Sequence, residues 1–238
     1  MGMQKCGTSA LAEFLSEHPN IEISAPKEVH LFDSPDFPTI STSDSINRRY
    51  SAHFSGPSNS LRGEATPIYS FMRYIPALLR NYNPELKLIV LLREPAERAY
   101  SHYLMEKHRG NESKPYWLAL LLESFRLSRD GDKRKLDSEY RLHSYRHRGY
   151  YTDQLINLRK SFPKDQILVV LTENLLRHHD QELRRVFEFL EVENIEISPK
   201  LVFYQGSDTH DVPLSTRALR FAFKGELQRL SRLFDIRF

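Results

Sequence analysis

The first nine residues, MGMQKCGTS, put two glycines, a lysine and two hydroxyls into one short turn. Gly2 and Gly7 allow the backbone to turn tightly, so that its N–H groups converge on an anion. Thr8 and Ser9 then open a helix, whose free N–H groups and positive dipole end favour phosphate. Lys5 adds a full charge inside the turn. The pattern approaches the P-loop G-x-x-x-x-G-K-[ST], but Thr8 stands where that loop carries its lysine. A Walker lysine reaches β- and γ-phosphates, so a nucleoside triphosphate is not the obvious ligand here. A plain glycine-containing turn before a helix fits the same letters.

A second stretch, LLREPAERAYSHY, places Arg93 at the carboxyl end of an apolar run and Ser101 two helical turns later. Open α/β sheets bind ligands at that end of their strands. A guanidinium supplies a forked pair of donors, and with a serine hydroxyl it suits a second phosphate. The alternative is that Arg93 pairs with a carboxylate and Ser101 packs as a small residue. Two phosphate sites at two strand–helix turns suggest a nucleotide phosphorylated at both ends of its ribose.

The elements that must position these residues alternate between strand and helix. Leu11, Phe14 and Leu15 recur at helical spacing after the opening turn, and His18-Pro19-Asn20 ends that helix. IEIS (21–24) reads as a short strand, 33–60 as loop with one short helix, and LRGEATPIY (61–69) as a strand turning at Pro67. LKLIVLL (86–92) is the clearest strand, continuous enough to be covered on both faces, and Pro95 opens the helix after it. QILVVL (166–171) is a second such strand, flanked by helical patterns at 150–161 and 179–190. STRALRFAFKGELQRLSRLF reads as one closing amphipathic helix. The pattern predicts an α/β fold with a mainly parallel sheet and one domain over residues 1–238.

Composition is ordinary for a globular chain: 238 residues, 40% hydrophobic, 27% charged, net charge +3. That charge gives no pointer to nucleic acid. One cysteine, Cys6, excludes an intramolecular disulfide and a cysteine-based zinc site. No apolar run has the length of a membrane span, and the first residues do not form a signal sequence, so the expected location is cytoplasmic.

GMQKCGTSALAEFLSEHP, KEVHLF, GEATPIY, LLREPAERAYSHY and HRGYYTDQL, in this order, resemble the sulfotransferase family, above all bacterial members and the sulfotransferase domains acting on heparan sulfate. The resemblance runs through most of the chain. It implies a P-loop-like three-layer α/β sandwich and the donor 3′-phosphoadenosine 5′-phosphosulfate (PAPS), with adenosine 3′,5′-bisphosphate (PAP) as product and no metal. It implies that Lys5, Cys6, Gly7, Thr8, Ser9 and Ala10 hold the 5′-phosphosulfate, with Lys5 neutralising charge on the bridging oxygen. Arg93 and Ser101 would hold the 3′-phosphate. Glu28 would be the general base, with His30 as rival, because imidazole titrates near neutrality. Tyr151 packs either beside the nucleotide or in the core. Glu64 would order the site or help orient the acceptor. PAPS carries no γ-phosphate, which accounts for the displaced lysine of the opening turn.

Three features depart from the family pattern. Relatives carry an apolar strand directly before the opening turn, and here the sequence starts at Met1-Gly2. A central sheet position is therefore expected to lack that strand: the true start lies upstream, the protein is a truncated form, or another segment fills the gap. The tail GSDTHDVPLSTR has Asp208 and Asp211 where relatives use basic residues, leaving Arg217 or Lys224 to help. Ala65 stands where heparan-type relatives carry a lysine. Residues 126–148 hold eight Lys/Arg against four Asp/Glu, either a solvated face or a surface for an anionic acceptor. The acceptor itself, a hydroxyl or amine of carbohydrate or small molecule, carries no recognisable code. A degenerate nucleotide-binding or interaction protein and, further off, a P-loop kinase are the rival readings.

Overall fold

A computed structural model describes residues 2–37, 42–57, 59–199 and 213–238. Chain contacts divide the molecule into two compact units, Met1–Leu92 with Ile156–Gln205 and Arg93–Leu155 with Gly206–Phe238.

The first unit holds the strands. Helix α1 (Thr8–Ser16) leads to β1 (Ile21–Ile23), then α2 (Ser43–Ser51), β2 (Leu61–Gly63), α3 (Ile75–Tyr82) and β3 (Leu88–Leu92). The chain returns to this unit within the helix before β4 (Ile167–Leu171) and continues into α8 (Thr172–Arg177) and α9 (His179–Leu190). β1 and β2 pair in parallel, Ile21 opposite Leu61 and Ile23 opposite Gly63. β3 and β4 pair in parallel from Leu88 opposite Ile167 to Leu92 opposite Leu171. Every residue of β3 is buried, as its unbroken apolar letters require. β3 begins two residues later than the apolar run suggests, because the Leu86 N–H closes a turn onto the Asn83 carbonyl at 3.4 Å. Phe14 of α1 anchors the packing. It is fully buried, and its ring meets His179 of α9 edge-on at a centroid distance of 4.7 Å.

The second unit is helical: α4 (Pro95–His108), α5 (Tyr116–Arg129), α6 (Glu139–Leu142), the first turn of α7 (Tyr151–Ser161), α10 (Leu214–Ala222) and α11 (Lys224–Phe234). Ala96, Ala99, Tyr103, Tyr116, Tyr145 and Phe223 form its core. The closing run is two helices rather than one. Phe223 sits between them, almost fully buried, with its ring 5.3 Å from that of Tyr150. It packs so closely on Gly149 that a Cβ there would lie 2.6 Å from the ring. Seating this one aromatic side chain takes precedence over helical continuity.

Phe14→Ala should remove about 3–5 kcal/mol of unfolding free energy in urea titrations. The exposed Ser16→Ala, on the same helix, should stay within about 0.5 kcal/mol. Equal effects of the two would contradict this packing.

Candidate active site

The opening turn is built on left-handed backbone. Lys5 has φ 69° and Gly7 has φ 78°. A side chain at Gly7 would meet that strain directly, whereas Lys5 carries it. Gly7 is the N-cap of α1 and offers no side chain, and the first turn of the helix contains no acidic residue. The leading N–H groups of α1, at Thr8, Ser9 and Ala10, are therefore not committed to a side-chain cap, the condition under which a helix start can receive an anion. The turn is fastened from behind. The Cys6 N–H donates to the Met3 carbonyl at 3.1 Å, and the Thr172 hydroxyl lies 2.9 Å from the carbonyls of both Cys6 and Leu92. Cys6 is fully buried, with its thiol 3.9 Å from the Gln4 carbonyl.

A chain of charged groups starts at the exposed Ser9. Lys27 donates from Nζ to Ser9 Oγ at 2.8 Å and pairs with Glu28 Oε1 at 3.0 Å. Glu28 Oε2 lies 3.2 Å from His30 Nε2, and His30 Nδ1 lies 2.9 Å from Asp33 Oδ2. The Asp33 side chain has 0% exposure. Hydrogen bonding to Asp33, then to Glu28, raises the His30 pKa to about 9, so at neutral pH the imidazole is a cation with both nitrogens protonated. Burial pushes the Glu28 carboxyl up. The His30 hydrogen bond and the Lys27 charge outweigh it and hold Glu28 below its ordinary value. Glu28 is thus an ionised carboxylate at neutral pH, and protonated His30 has no lone pair with which to accept a proton.

Backbone and second-layer contacts fix this chain. The Lys27 carbonyl accepts the Ala65 N–H at 3.0 Å and the Ser24 hydroxyl at 3.1 Å. His30 itself is left-handed, φ 54°, and its N–H donates to Thr66 Oγ1 at 3.3 Å. The Thr66 hydroxyl donates in turn to Glu64 Oε2 at 2.5 Å, and Tyr50 donates to the other oxygen of Glu64. Glu64 therefore orders the turn at His30 from below. Burial, then the Glu64 charge, pushes the Tyr50 hydroxyl above its ordinary value, so it remains a donor.

Arg93, directly after β3, belongs to the second unit and lies 3.2 Å from Glu97 through Nη2. Ser101 is half-buried on α4. Tyr151 is fully buried, and its hydroxyl donates to the Arg93 carbonyl at 2.9 Å, which fixes the backbone of that residue. Glu94 caps α4, accepting the Ala96 and Glu97 N–H groups at 3.1 and 2.9 Å. Arg220 of α10 joins Glu94 and Glu97 at 3.3 and 2.5 Å, whereas Arg217 and Lys224 are exposed. The basic residues of 126–148 are mostly committed within the fold. Arg126 pairs with Glu112, Arg134 with Asp132 and Arg146 with Glu123, while Arg141 and Arg148 are buried.

Within the first unit the structure joins Ser9, Glu28 and His30 into one hydrogen-bonded chain beside the turn that carries Lys5, Cys6, Gly7, Thr8 and Ala10. Within the second it joins Arg93 to Tyr151, with Ser101 on the adjoining helix. Asp33, Thr172 and Arg220 were not singled out from the sequence. The Asp33 carboxylate three residues after His30 was the available signal; nothing local marks Thr172 or Arg220. Asp208 and Asp211 lie outside the described residues. Among the described residues no group of three or more His, Cys, Asp or Glu is placed to hold a metal ion. No helix among them is long and apolar enough to cross a membrane.

The sulfotransferase domain family matches residues 1–205, and the chain belongs to that family. Human heparan sulfate glucosamine 3-O-sulfotransferase 5 is 30% identical over 194 residues, covering 80% of this chain and 51% of that protein. Heparan sulfate glucosamine 3-O-sulfotransferase 3B1 of Mus musculus is 29% identical over 209 residues, covering 86% of this chain and 48% of that protein. The chain thus spans about half the length of the curated relatives it matches. The crystal structure of a sulfotransferase from Alicyclobacillus acidocaldarius is similar with TM-score 0.80 and 25% identity, covering 100% of this chain and 95% of that one. A mouse sulfotransferase complexed with PAP shares the fold at TM-score 0.58 and 14% identity, covering 98% of this chain and 83% of that one. The fold is the P-loop-like α/β fold of these proteins.

The His30 cation has a stability signature. Its folded pKa of about 9 lies above the ordinary 6.5. Its contribution is fully present below about pH 6.5 and is lost as pH rises through about 9. Thermal melts from about pH 7 to 10 should show a fall in Tm that His30→Gln lacks; a slope unchanged in the variant would contradict the assignment.

Proposed function

We propose that this chain transfers a sulfuryl group from PAPS to a hydroxyl or amine of a carbohydrate acceptor, leaving PAP. The observation that carries this reading is the chain Ser9–Lys27–Glu28–His30–Asp33, which links an uncapped helix start to an ionised carboxylate. The carbohydrate class is supported by the relatives named for heparan sulfate glucosamine.

In this reading Lys5 and the N–H groups at Gly7, Thr8, Ser9 and Ala10 hold the 5′-phosphosulfate, while Cys6, whose N–H is committed to the Met3 carbonyl, shapes the turn that presents them. Arg93 and Ser101 take the 3′-phosphate, as the family resemblance implies, and Tyr151 acts as a positioning residue through the Arg93 backbone. The acceptor electron pair attacks sulfur in line, and the bond from sulfur to the bridging oxygen breaks. The bond's electrons stay on the 5′-phosphate of PAP, where Lys5 neutralises them. Glu28 takes the acceptor proton. A carboxylate held below its ordinary pKa is a weak base, so the proton moves only as sulfur–acceptor bonding makes the hydroxyl acidic. His30 serves as the cation that orients Glu28.

Glu28→Gln is expected to lower kcat for transfer of labelled sulfate from PAPS to glucosamine-containing oligosaccharides by about 10²–10⁴-fold, with PAP affinity unchanged in calorimetry. Arg93→Ala should weaken PAP by about tenfold or more and leave Glu28 chemistry in place. A folded protein that binds PAP but transfers nothing to any acceptor would favour the degenerate nucleotide-binding reading. Tight ATP–Mg²⁺ binding with no PAP binding would sink both.

A further inference from the structure

The start of α4 is closed to an anion by its own side chain. Glu94 accepts the Ala96 and Glu97 N–H groups at 3.1 and 2.9 Å, so these helix amides already serve a carboxylate. A phosphate arriving there must be held by side chains, and Arg93 stands at the end of β3. Its guanidinium is engaged as well, with Nη2 3.2 Å from Glu97 Oε2. A phosphate dianion beside Arg93 would thus meet two carboxylates within one helical turn, a repulsion that one arginine does not cancel.

Arg220 answers both carboxylates at once. Its Nε lies 3.3 Å from Glu94 Oε2, and its Nη2 lies 2.5 Å from Glu97 Oε1. Glu97 therefore bridges two arginines, one oxygen to each. The fold sets this contact. Leu219, the residue before Arg220, is buried in one cluster with Ala96 and Ala99 of α4, and Phe223 closes the same cluster. The Arg220 side chain itself stays 44% exposed, so its pairing is a charge contact laid over that core.

We infer that Arg220 is a positioning residue for the second phosphate: it neutralises Glu94 and Glu97 and gives Glu97 a partner other than Arg93, which releases the Arg93 guanidinium to a 3′-phosphate. Arg220 does this through the two carboxylates, without touching the nucleotide. The inference rests on the reading of Arg93 as the 3′-phosphate ligand. Its effect is confined to nucleotides that carry that phosphate, because one lacking it makes no demand on Arg93. Arg220 thereby helps to set the selectivity of the donor site.

Calorimetry on the full chain compares PAP with adenosine 5′-monophosphate, which lacks the 3′-phosphate. The parent protein is expected to bind PAP more tightly. Arg220→Gln should weaken PAP about fivefold and leave adenosine 5′-monophosphate unchanged, with the loss shrinking as salt is raised to about 0.5 M. Adding Glu97→Gln to Arg220→Gln should restore PAP binding, because the competing carboxylate is gone. Equal losses for both nucleotides would make Arg220 a tether of α10 and overturn the proposal, as would no recovery in the double variant. Glu97→Gln alone should bind PAP at least as tightly as the parent; weaker binding would mean that Glu97 orients Arg93 rather than withholding it, and would also overturn the proposal. A parent protein that binds both nucleotides alike would overturn the 3′-phosphate reading itself. A PAP preference kept in full by Arg220→Gln would overturn the inference and leave that reading standing.

Discussion

The Asp33 carboxylate is the constraint on which the candidate active site depends. Its side chain is fully buried, and an ionised carboxylate in that setting requires a cation with good hydrogen-bond geometry. His30 supplies that cation. In doing so it is turned toward Glu28 and removed as a proton acceptor, which divides the labour between two groups only two residues apart. The backbone is left-handed at His30, a strain of about 1–3 kcal/mol for a residue with a side chain. Thr66, Glu64 and Tyr50 form the hydrogen-bonded prop that sustains it.

The two helix starts offer an anion opposite conditions. α1 begins with glycine and no carboxylate, so no side chain of its own caps its first amides. α4 begins with Glu94 folded back on its own amides and with Glu97 shared between Arg93 and Arg220. A phosphate bound at Arg93 would have to compete with Glu97 for the guanidinium, and Arg220, already paired with Glu97, is placed to hold that carboxylate if it were displaced. The second unit also keeps arginines well inside. Arg148 is pulled down to about 9, by burial first and the neighbouring Arg98 next.

Much of this was legible in the sequence where a physical period or a turn residue speaks directly. Pro95 at the start of α4, the helix at 179–190 and the turn at Gly7 lie where their letters place them, and β3 does so but for its first two residues. Glu28 was visible from the motif as a base and His30 as its rival, but not the hydrogen bond that makes them partners. Their partners were harder. Thr172 reaches Cys6 across 166 residues, and Arg220 reaches Glu94 across 126, distances over which no local pattern operates. The break at Phe223 was hidden for a similar reason, since it answers to Gly149 rather than to its own helix. The basic stretch at 126–148 showed its charges but not their carboxylate partners, two of which, Glu112 and Glu123, lie before the stretch begins.

Cys6 gives the opening turn an internal reporter. It is the one thiol of the chain and lies fully shielded inside the turn, with its backbone tied to Met3 and, through Thr172, to the end of β3. Alkylation of the native protein therefore proceeds no faster than the turn opens. The rate of a single chemical modification reads out the breathing of the opening turn, without any label having to be introduced.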